Sequence, residues 1–280
     1  MLVQLVLACL PIAACQPSPD VVRMATTTSV ENSGLLAAIL PAYERSAHVT
    51  VEVLAVGSGR ALNLLEHGDV TLALTHDPPA EGAALARGTI ANYRKIMFND
   101  FVIVGPAADP AGVAAASDGV DAFGRIAAGR ALFISRGDAS GTYSREQQLW
   151  GQAGRRPAQD RLLETGQGMG GTLRVASERN AYTLTDRATF EQFRQGLRLA
   201  VLYEGGPAML NTYAIFIRAA ATGADRAAAA TLTDWFAEGE GRPLIAGFTA
   251  SGRRVFSLWP DGTPRTRPTD LPTTEPPHAR

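Results

Sequence analysis

Residues 21–66 of the chain are VVRMATTTSVENSGLLAAILPAYERSAHVTVEVLAVGSGRALNLLE, and this stretch decides the predicted fold. Apolar residues 21–25 predict a short strand that ends in a hydroxyl cluster, and the apolar spacing of 35–43 predicts a helix after it. The same order returns, because 49–56 alternates like a strand, glycines turn the chain, and 61–66 opens a second helix. Repeated strand–loop–helix units predict a mostly parallel sheet with helices on both faces.

The same order continues beyond this stretch. Residues 70–75 and 97–105 are apolar and β-branched runs that predict further strands. Residues 132–135 predict a strand that begins another such unit, and after a loop, residues 143–150 predict a helix. We therefore expect a second lobe to start here. Two more strands and an alanine-rich helix are predicted at 197–203, 213–217 and 224–236. The fold class is therefore predicted to be α/β.

The two ends of the chain differ from its body. Residues 1–14, MLVQLVLACLPIAA, are almost wholly apolar but too short to span a bilayer, which is typical of a signal peptide. Residues 12–15, IAAC, resemble the small-residue box of bacterial lipoproteins, so we predict a lipoprotein signal over 1–15 with Cys15 lipidated. A plain cleaved signal is the alternative. Residues 260–280 are rich in Pro, Thr and Arg, which predicts a disordered tail.

Composition and charge exclude several classes of protein. The 280 residues are 46% apolar and 19% charged, as in a globular protein with a sizeable core. The 26 basic and 27 acidic residues leave a formal charge of −1, and aromatic residues are not interleaved with basic ones, so no nucleic-acid partner is expected. No cysteine follows Cys15, which excludes a disulfide framework and a thiolate metal site in the mature protein.

Three strand-to-helix junctions, 26–29, 57–59 and 136–142, are rich in small hydroxyl residues or glycine. Each could bind an anion, because N–H groups at a helix start carry partial positive charge and glycines let the backbone approach an oxygen. Ser and Thr are also ordinary helix N-caps, so one cluster alone means little. Three clusters at the carboxyl ends of strands could converge on one ligand.

The third junction also carries charged residues. Arg136 would add a fixed positive charge to neutral donors, a combination that suits a fully ionised oxyanion. A protonated phosphate would additionally need an acceptor. Asp138 could supply that acceptor, but we favour a pairing in which it orients Arg136.

Other motifs of the chain have simpler interpretations. The G-x-G-x-x-G pattern of 166–171 needs a hydrophobic strand directly before it to bind a dinucleotide, and 161–165 is short and polar. Neither Ser58 nor Ser140 lies in the Gly-x-Ser-x-Gly of a serine hydrolase. For the His-Asp pair at 76–77, a local turn before two prolines is favoured over a metal or acid–base site.

A set of strings in the chain resembles the tungstate-binding proteins of ABC transporters, in the order in which that family shows them. They are TTTSVENSGLL, VGSGRAL, HDP, FNDFVIVGP, SRGDASGT, GQGMGGTL and AYTLTDRATF, and they cover most of residues 24–216. The resemblance implies a two-lobed type II periplasmic-binding fold. Each lobe would be a mostly parallel sheet flanked by helices, with the ligand in the cleft. We expect lobe 1 to comprise 16–104 and 205–259, and lobe 2 to comprise 105–204.

The resemblance also implies which residues bind the oxyanion. They are Thr27, Thr28 and Ser29 of TTTS, Ser58 of VGSG, and Arg136, Ser140, Gly141 and Thr142 of SRGDASGT. Tyr182 of AYTLTD is a further candidate on the hinge side. No catalytic residue, cofactor or metal is expected. The ligand would be tungstate or molybdate, which are too similar in size and charge for a residue count to separate.

The function implied by the resemblance is that of an extracytoplasmic solute-binding protein, not an enzyme. It would capture tungstate or molybdate and deliver the anion to an ABC permease. We expect a monomer in the periplasm or at the cell surface, anchored to the membrane through Cys15. The alternatives are an exported oxyanion sensor and a binding protein for another tetrahedral oxyanion, such as phosphate or sulfate. A phosphoryl transferase is the least favoured alternative.

Overall fold

The structure is a computed structural model that describes residues 21–260 and 266–272. Its strands are β1 (Val21–Thr27), β2 (Thr50–Val56), β3 (Leu72–Thr75), β4 (Ile90–Gly105), β5 (Phe133–Ser135), β6 (Leu162–Glu164), β7 (Thr183–Asp186), β8 (Ala200–Tyr203), β9 (Leu210–Arg218), β10 (Thr249–Ala250), β11 (Arg253–Arg254) and β12 (Ser257–Leu258). Its helices are α1 (Thr28–Ser33), α2 (Leu35–Ala47), α3 (Ser58–His67), α4 (Pro78–Arg87), α5 (Gly119–Ala128), α6 (Gly141–Ala153), α7 (Met169–Glu178), α8 (Arg187–Phe193), α9 (Gly223–Ala237) and α10 (Gly241–Gly247). Strands and helices alternate, which confirms the predicted α/β class.

Lobe 1 is built on a sheet with the order β2-β1-β3-β9-β4-β12. β1 is parallel to β2 and β3, whereas β9 is antiparallel to β3 and β4. Neighbouring side chains of one strand enter different cores, as the alternation of a strand requires. Met24 and Leu72 pack in the cluster that contains the apolar faces of α2 and α9, while Ala25 and Ala73 pack in the cluster with α3 and α4. Helices therefore cover both faces of the sheet.

β4 is the strand that the two lobes share. Up to Asp100 it pairs with β9, and from Phe101 onward it pairs with β7 and β8. β5 is parallel to β6 and bridges to β7, so lobe 2 has the order β6-β5-β7-β4-β8. The predicted boundary after residue 104 lies near the end of β4, beyond this change of partners. The chain returns to lobe 1 between β8 and β9.

An aromatic cluster in lobe 2 fixes the position of α6 against β5. Phe123 of α5, Phe133 of β5 and Trp150 of α6 are buried, and their ring centroids lie 4.2–5.7 Å apart. Each such side chain contributes about 2–3 kcal/mol of apolar burial. The cluster therefore fixes both ends of the loop between β5 and α6. This loop carries Arg136, one of the predicted anion-binding residues.

The prediction of a disordered tail over 260–280 is wrong for residues 266–272. Thr266 is buried, and its hydroxyl accepts a hydrogen bond from the backbone N–H of Lys95 at 2.8 Å. The ammonium of Lys95 donates to the backbone carbonyl of Pro268 at 2.9 Å, and burial lowers its pKa to about 8. The segment has few apolar residues, as predicted, but one buried lysine makes hydrogen bonds to it, and composition does not reveal such a contact.

Some of the predictions fall outside the described residues. These are the signal peptide over 1–15, the lipidation of Cys15, and the remainder of the tail at 261–265 and 273–280. Within the ranges that the structure describes, no helix is long and apolar enough to cross a membrane.

Candidate functional site

Helix starts bring two of the predicted hydroxyl clusters to the cleft between the lobes. α1 begins directly after β1, and its N-cap is Thr27, whose hydroxyl accepts from the N–H of Val30 at 3.2 Å. α6 begins after the loop that follows β5, and its N-cap is Ser140, whose hydroxyl accepts from the N–H of Tyr143 at 3.1 Å. The ordinary capping role is therefore correct for both residues. Accepting a cap bond leaves each O–H group as a donor.

Arg136 connects the two lobes. It lies at the end of β5 and is only 1% exposed. Its Nη2 donates to the hydroxyl of Thr28 at 3.1 Å and its Nη1 to the hydroxyl of Ser29 at 3.4 Å, both in lobe 1. Nη2 also pairs with Asp138 Oδ2 at 2.5 Å, which confirms the predicted pairing. The guanidinium is thus oriented within lobe 2 and directed toward the TTTS hydroxyls.

The first residues of α6 also reach lobe 1. The N–H of Gly141 donates to the hydroxyl of Ser58 at 3.2 Å. One residue further into α3, the N–H of Gly59 donates to the backbone carbonyl of Ala139 at 3.0 Å. Thr142 is buried beside them. The structure therefore brings the second predicted junction into contact with the third.

Two buried donors of the third junction lack a hydrogen-bond partner anywhere in the described part of the protein. They are Arg136 Nε and the hydroxyl of Thr142. An unpaired buried donor costs about 1–3 kcal/mol, and native proteins keep few of them. An oxyanion bound at this junction would provide oxygens for both. The donor set therefore fits a ligand that only accepts hydrogen bonds.

The titratable groups near Arg136 add little positive charge of their own. Burial, and then the charge of Arg136, lowers the pKa of His76 to about 3. His76 Nδ1 lies 3.0 Å from Asn211 Oδ1, and the amide of Asn211 donates to neighbouring oxygens, so Nδ1 carries the proton of a neutral ring. Burial raises the pKa of Asp186, an effect that Arg136 opposes. The positive charge available to an anion therefore comes from an arginine and not from a histidine.

Buried acceptor atoms also occur near the same arginine. Asp138 Oδ1, Asp186 Oδ2 and His76 Nε2 are buried and have no partner among the described residues. These atoms could accept a hydrogen bond from a protonated ligand, which the donor set alone could not do. The site therefore retains a feature that would suit phosphate.

Tyr182 is the predicted contact that the structure does not bring to this cluster. Its side chain is buried in lobe 2 against Gly105, where an added Cβ would lie 2.5 Å from the ring. Its hydroxyl donates to Asp109 Oδ1 at 2.8 Å and accepts from the N–H of Ala111 at 2.9 Å. The hydroxyl thus fixes a loop of lobe 2. Only the family resemblance suggested a binding role for this tyrosine, and the structure gives that role no support.

The His-Asp pair at 76–77 contacts α6, the helix that follows the third junction. Asp77 is the N-cap of α4, in agreement with the predicted turn. Its Oδ1 also accepts from the hydroxyl of Ser144 in lobe 2 at 3.1 Å. No signal in the sequence pairs these two positions. Within the described residues, no group of three or more His, Cys, Asp or Glu side chains could hold a metal ion.

The G-x-G-x-x-G pattern of 166–171 leads into α7, as predicted for a helix entry. A strand does precede it, contrary to our expectation, but β6 has only 3 residues and is largely exposed. Gly168 lies against Thr28, with an added Cβ 3.5 Å from the side chain. Both residues line a cavity of about 390 Å³ together with Arg174 and Phe193. This loop therefore forms one wall of the cleft mouth.

Known proteins share this architecture. Residues 14–240 match a family model described as a PBP superfamily domain. Over 194 residues the chain is 37% identical to a tungstate-binding protein of Peptoclostridium acidaminophilum, which covers 69% of this chain and 68% of that protein. A crystal structure of the tungstate ABC transporter from Geobacter sulfurreducens matches with a TM-score of 0.75 and 40% identity, over 83% of this chain and 100% of that chain. The tungstate-binding protein from Desulfovibrio alaskensis G20 matches with a TM-score of 0.73 and 36% identity, over 86% and 99%.

Proposed function

The chain belongs to the PBP superfamily, and on that basis we propose that it captures tungstate between its lobes and delivers it to an ABC permease. Like its tungstate-binding relatives, it is a solute-binding protein and not an enzyme. The proposed ligand contacts are Thr27, Thr28, Ser29, Ser58, Arg136, Ser140, Gly141 and Thr142.

One observation carries the proposal. A buried arginine of lobe 2 is aimed at hydroxyls of lobe 1, and two buried donors of its loop, Arg136 Nε and the Thr142 hydroxyl, lack a partner among the described residues. Charge-assisted hydrogen bonds from guanidinium to oxyanion are strong and directional. An anion held beside Arg136 and the TTTS hydroxyls would therefore bind to both lobes at once.

Phosphate is the second candidate ligand, because Asp138 Oδ1 is a buried acceptor without a partner in the described residues. We favour tungstate because Asp138 Oδ2 is already paired with Arg136. In addition, the relatives at 36–40% identity are named for tungstate. Molybdate has nearly the same size and charge and is expected to bind similarly. Sulfate is smaller and could not reach every donor.

Calorimetric titration with tungstate, molybdate, sulfate and phosphate in one buffer tests the proposal. We expect tungstate to bind at least as tightly as molybdate and phosphate to show no measurable binding. Sulfate should be weaker by about two decades, since each unpaired buried donor costs about 1–3 kcal/mol. Tight phosphate binding would identify Asp138 as an acceptor and the protein as a phosphate-binding component. Absence of binding to all four anions would refute the proposal.

We further propose that the protein is exported and held at the membrane by a lipid on Cys15, as a monomer that docks on its permease. Wild-type protein should incorporate labelled palmitate and partition with membranes, whereas Cys15→Ala should do neither. Cys9→Ala is the matched control and should behave like wild type. Labelling that persists in Cys15→Ala would reject the anchor.

An exported sensor built on the same clamp is the alternative to a transport component. Deleting a sensor would leave tungstate uptake intact, whereas deleting a transport component would abolish it.

A further inference from the structure

Two glycines each lie so close to the backbone of the opposite lobe that no side chain would fit. Gly57 lies between β2 and α3 in lobe 1, and a Cβ added there would lie 2.7 Å from the backbone oxygen of Ala139 in lobe 2. Gly141 opens α6 in lobe 2, and a Cβ added there would lie 2.5 Å from the backbone oxygen of His76 in lobe 1. The two contacts are reciprocal, because each lobe contributes one glycine and one carbonyl group.

The local backbone at these positions does not require glycine. Gly57 has φ −74° and ψ 155°, which any residue adopts, and it caps α3 without a side-chain hydrogen bond. Gly141 is absent from the glycines of positive φ and is the first residue of a regular helix. Both positions would accept alanine in an isolated lobe. The need for glycine therefore arises only where the lobes meet.

We propose that Gly57 and Gly141 are positioning residues that permit closure of the two lobes. Their bare backbones allow the N–H of Gly59 to reach the carbonyl of Ala139 and the N–H of Gly141 to reach the hydroxyl of Ser58. Closure of that kind brings Arg136 onto the TTTS hydroxyls. The proposal deepens the proposed function, on which its binding measurement rests.

A side chain at either position would act on closure and not on folding. Periplasmic binding proteins close by hinge motion, and the apparent affinity falls in proportion to the fraction of molecules that can reach the binding-competent state. A Cβ would meet backbone atoms, which cannot rotate away as a flexible side chain can. The lobes must then separate to relieve the contact, while each lobe keeps its own core.

Tungstate titration of glycine variants provides the first test. Gly57→Ala and Gly57→Ser should each weaken tungstate binding at least about tenfold, since overpacking of this kind is strongly unfavourable. Serine is a better N-cap than glycine, so weaker binding by the serine variant cannot result from loss of the cap. Gly151→Ala is the matched control in α6, because nothing lies within 4 Å of an added Cβ. It should bind like wild type.

Amide hydrogen exchange provides a test that needs no ligand. In Gly141→Ala the amide of Gly59 should exchange faster than in wild type, and in Gly57→Ala the amide of Gly141 should do so. Thermal unfolding of the ligand-free variants should stay within about 2 °C of wild type. Unchanged exchange and unchanged affinity in both variants would overturn the proposal. If wild type binds no oxyanion, the proposed function fails, whereas the exchange rates still decide whether these glycines permit closure.

Discussion

At the scale of the residue, the account depends on Arg136. Replacing it with alanine removes the guanidinium that bonds Thr28 and Ser29 across the cleft. Truncating one partner of a desolvated charged pair costs about 2–5 kcal/mol, so tungstate affinity should fall about 30-fold to several thousandfold by calorimetry. Arg125→Ala is the control, because Arg125 pairs with Asp121 at the surface of lobe 2. Wild-type affinity in the Arg136→Ala variant would show that the anion binds away from the 136–142 loop.

A second residue prediction separates binding from stability. Thr142→Val removes a buried hydroxyl that has no partner among the described residues while nearly keeping its shape. Ligand-free stability should therefore stay the same or rise, whereas tungstate affinity should weaken by about 1–3 kcal/mol. Denaturant unfolding and calorimetry measure the two quantities.

Thr233→Val serves as the reciprocal control for Thr142→Val. The Thr233 hydroxyl is buried in α9 and donates to the carbonyl of Ala229 at 2.8 Å, far along the chain from the cleft loops. Its loss should lower stability by about 1 kcal/mol and leave tungstate affinity unchanged. A Thr142→Val variant that resembles Thr233→Val would show that the Thr142 hydroxyl serves the fold and not the ligand.

Residues of the site differ in how well the sequence predicts them. The hydroxyl clusters at Thr27 and Ser140 follow from strand-to-helix order, because such junctions place N-caps at the carboxyl ends of strands. Tyr182 was suggested by the family resemblance alone, which locates a residue but not the direction of its hydroxyl. The contact between Asp77 and Ser144 could not be predicted. Periodicity describes one element at a time, whereas this contact arises from the approach of two lobes.

At the scale of the element, α6 carries a buried carboxyl group behind the site. Glu146 is 2% exposed and accepts hydrogen bonds from the hydroxyl of Ser135 at 2.9 Å and the indole of Trp150 at 3.1 Å. Burial raises the pKa of Glu146 to about 7. Between the usual glutamate value and 7, the folded protein then holds a proton that the unfolded chain has released. The contribution of Glu146 to stability therefore falls as pH rises through this window.

Comparison of wild type with Glu146→Gln measures this effect. The amide keeps the acceptor oxygen but does not titrate, so the variant should gain stability relative to wild type by up to about 3 kcal/mol between pH 4.5 and 7.5. Denaturant midpoints at several pH values give the difference, in which the other titrating groups cancel. Parallel stability curves for the two proteins would mean that Glu146 is ionised in the folded protein throughout this range.

Strands of ordinary length and apolar character are predictable from the sequence, and short or mixed ones are not. β4 begins at Ile90 and not at the predicted residue 97, because its first half mixes polar and charged residues with apolar ones and lacks a clear strand pattern. β7, with the sequence TLTD, is buried at every position although half of its residues are threonine. It is a strand because β4 and β5 flank it, and that pairing is a tertiary effect that local propensity does not include.

At the scale of the whole molecule, the two lobes meet at a fixed crossover. Arg187, at the start of α8, donates to both carboxylate oxygens of Asp100 at 2.9 and 2.5 Å, and it also pairs with Glu204. Asp100 lies where β4 changes partners between the lobes, and Glu204 follows β8 where the chain returns. This buried bidentate pair holds the two connections together. Hinge closure of the kind that periplasmic binding proteins undergo would take place about these two connections.

The two-lobed organisation follows from the repeated strand–loop–helix order and from the family resemblance. The closed approach of the lobes does not, since it depends on backbone contacts at single glycines such as Gly57. The course of residues 266–272 is also beyond prediction from composition, because it depends on contacts with the distant Lys95. Contacts between distant parts of the chain therefore account for most of what the sequence leaves open.

Location of the bound anion is the most direct test of the central claim. Crystals grown with tungstate should show one strong anomalous peak at the tungsten absorption edge, between the two lobes. Its oxygens should lie about 2.7–3.2 Å from Arg136, Thr142 and the hydroxyls of residues 27–29. A peak in contact with one lobe alone, or a tungsten site away from Arg136, would contradict the account.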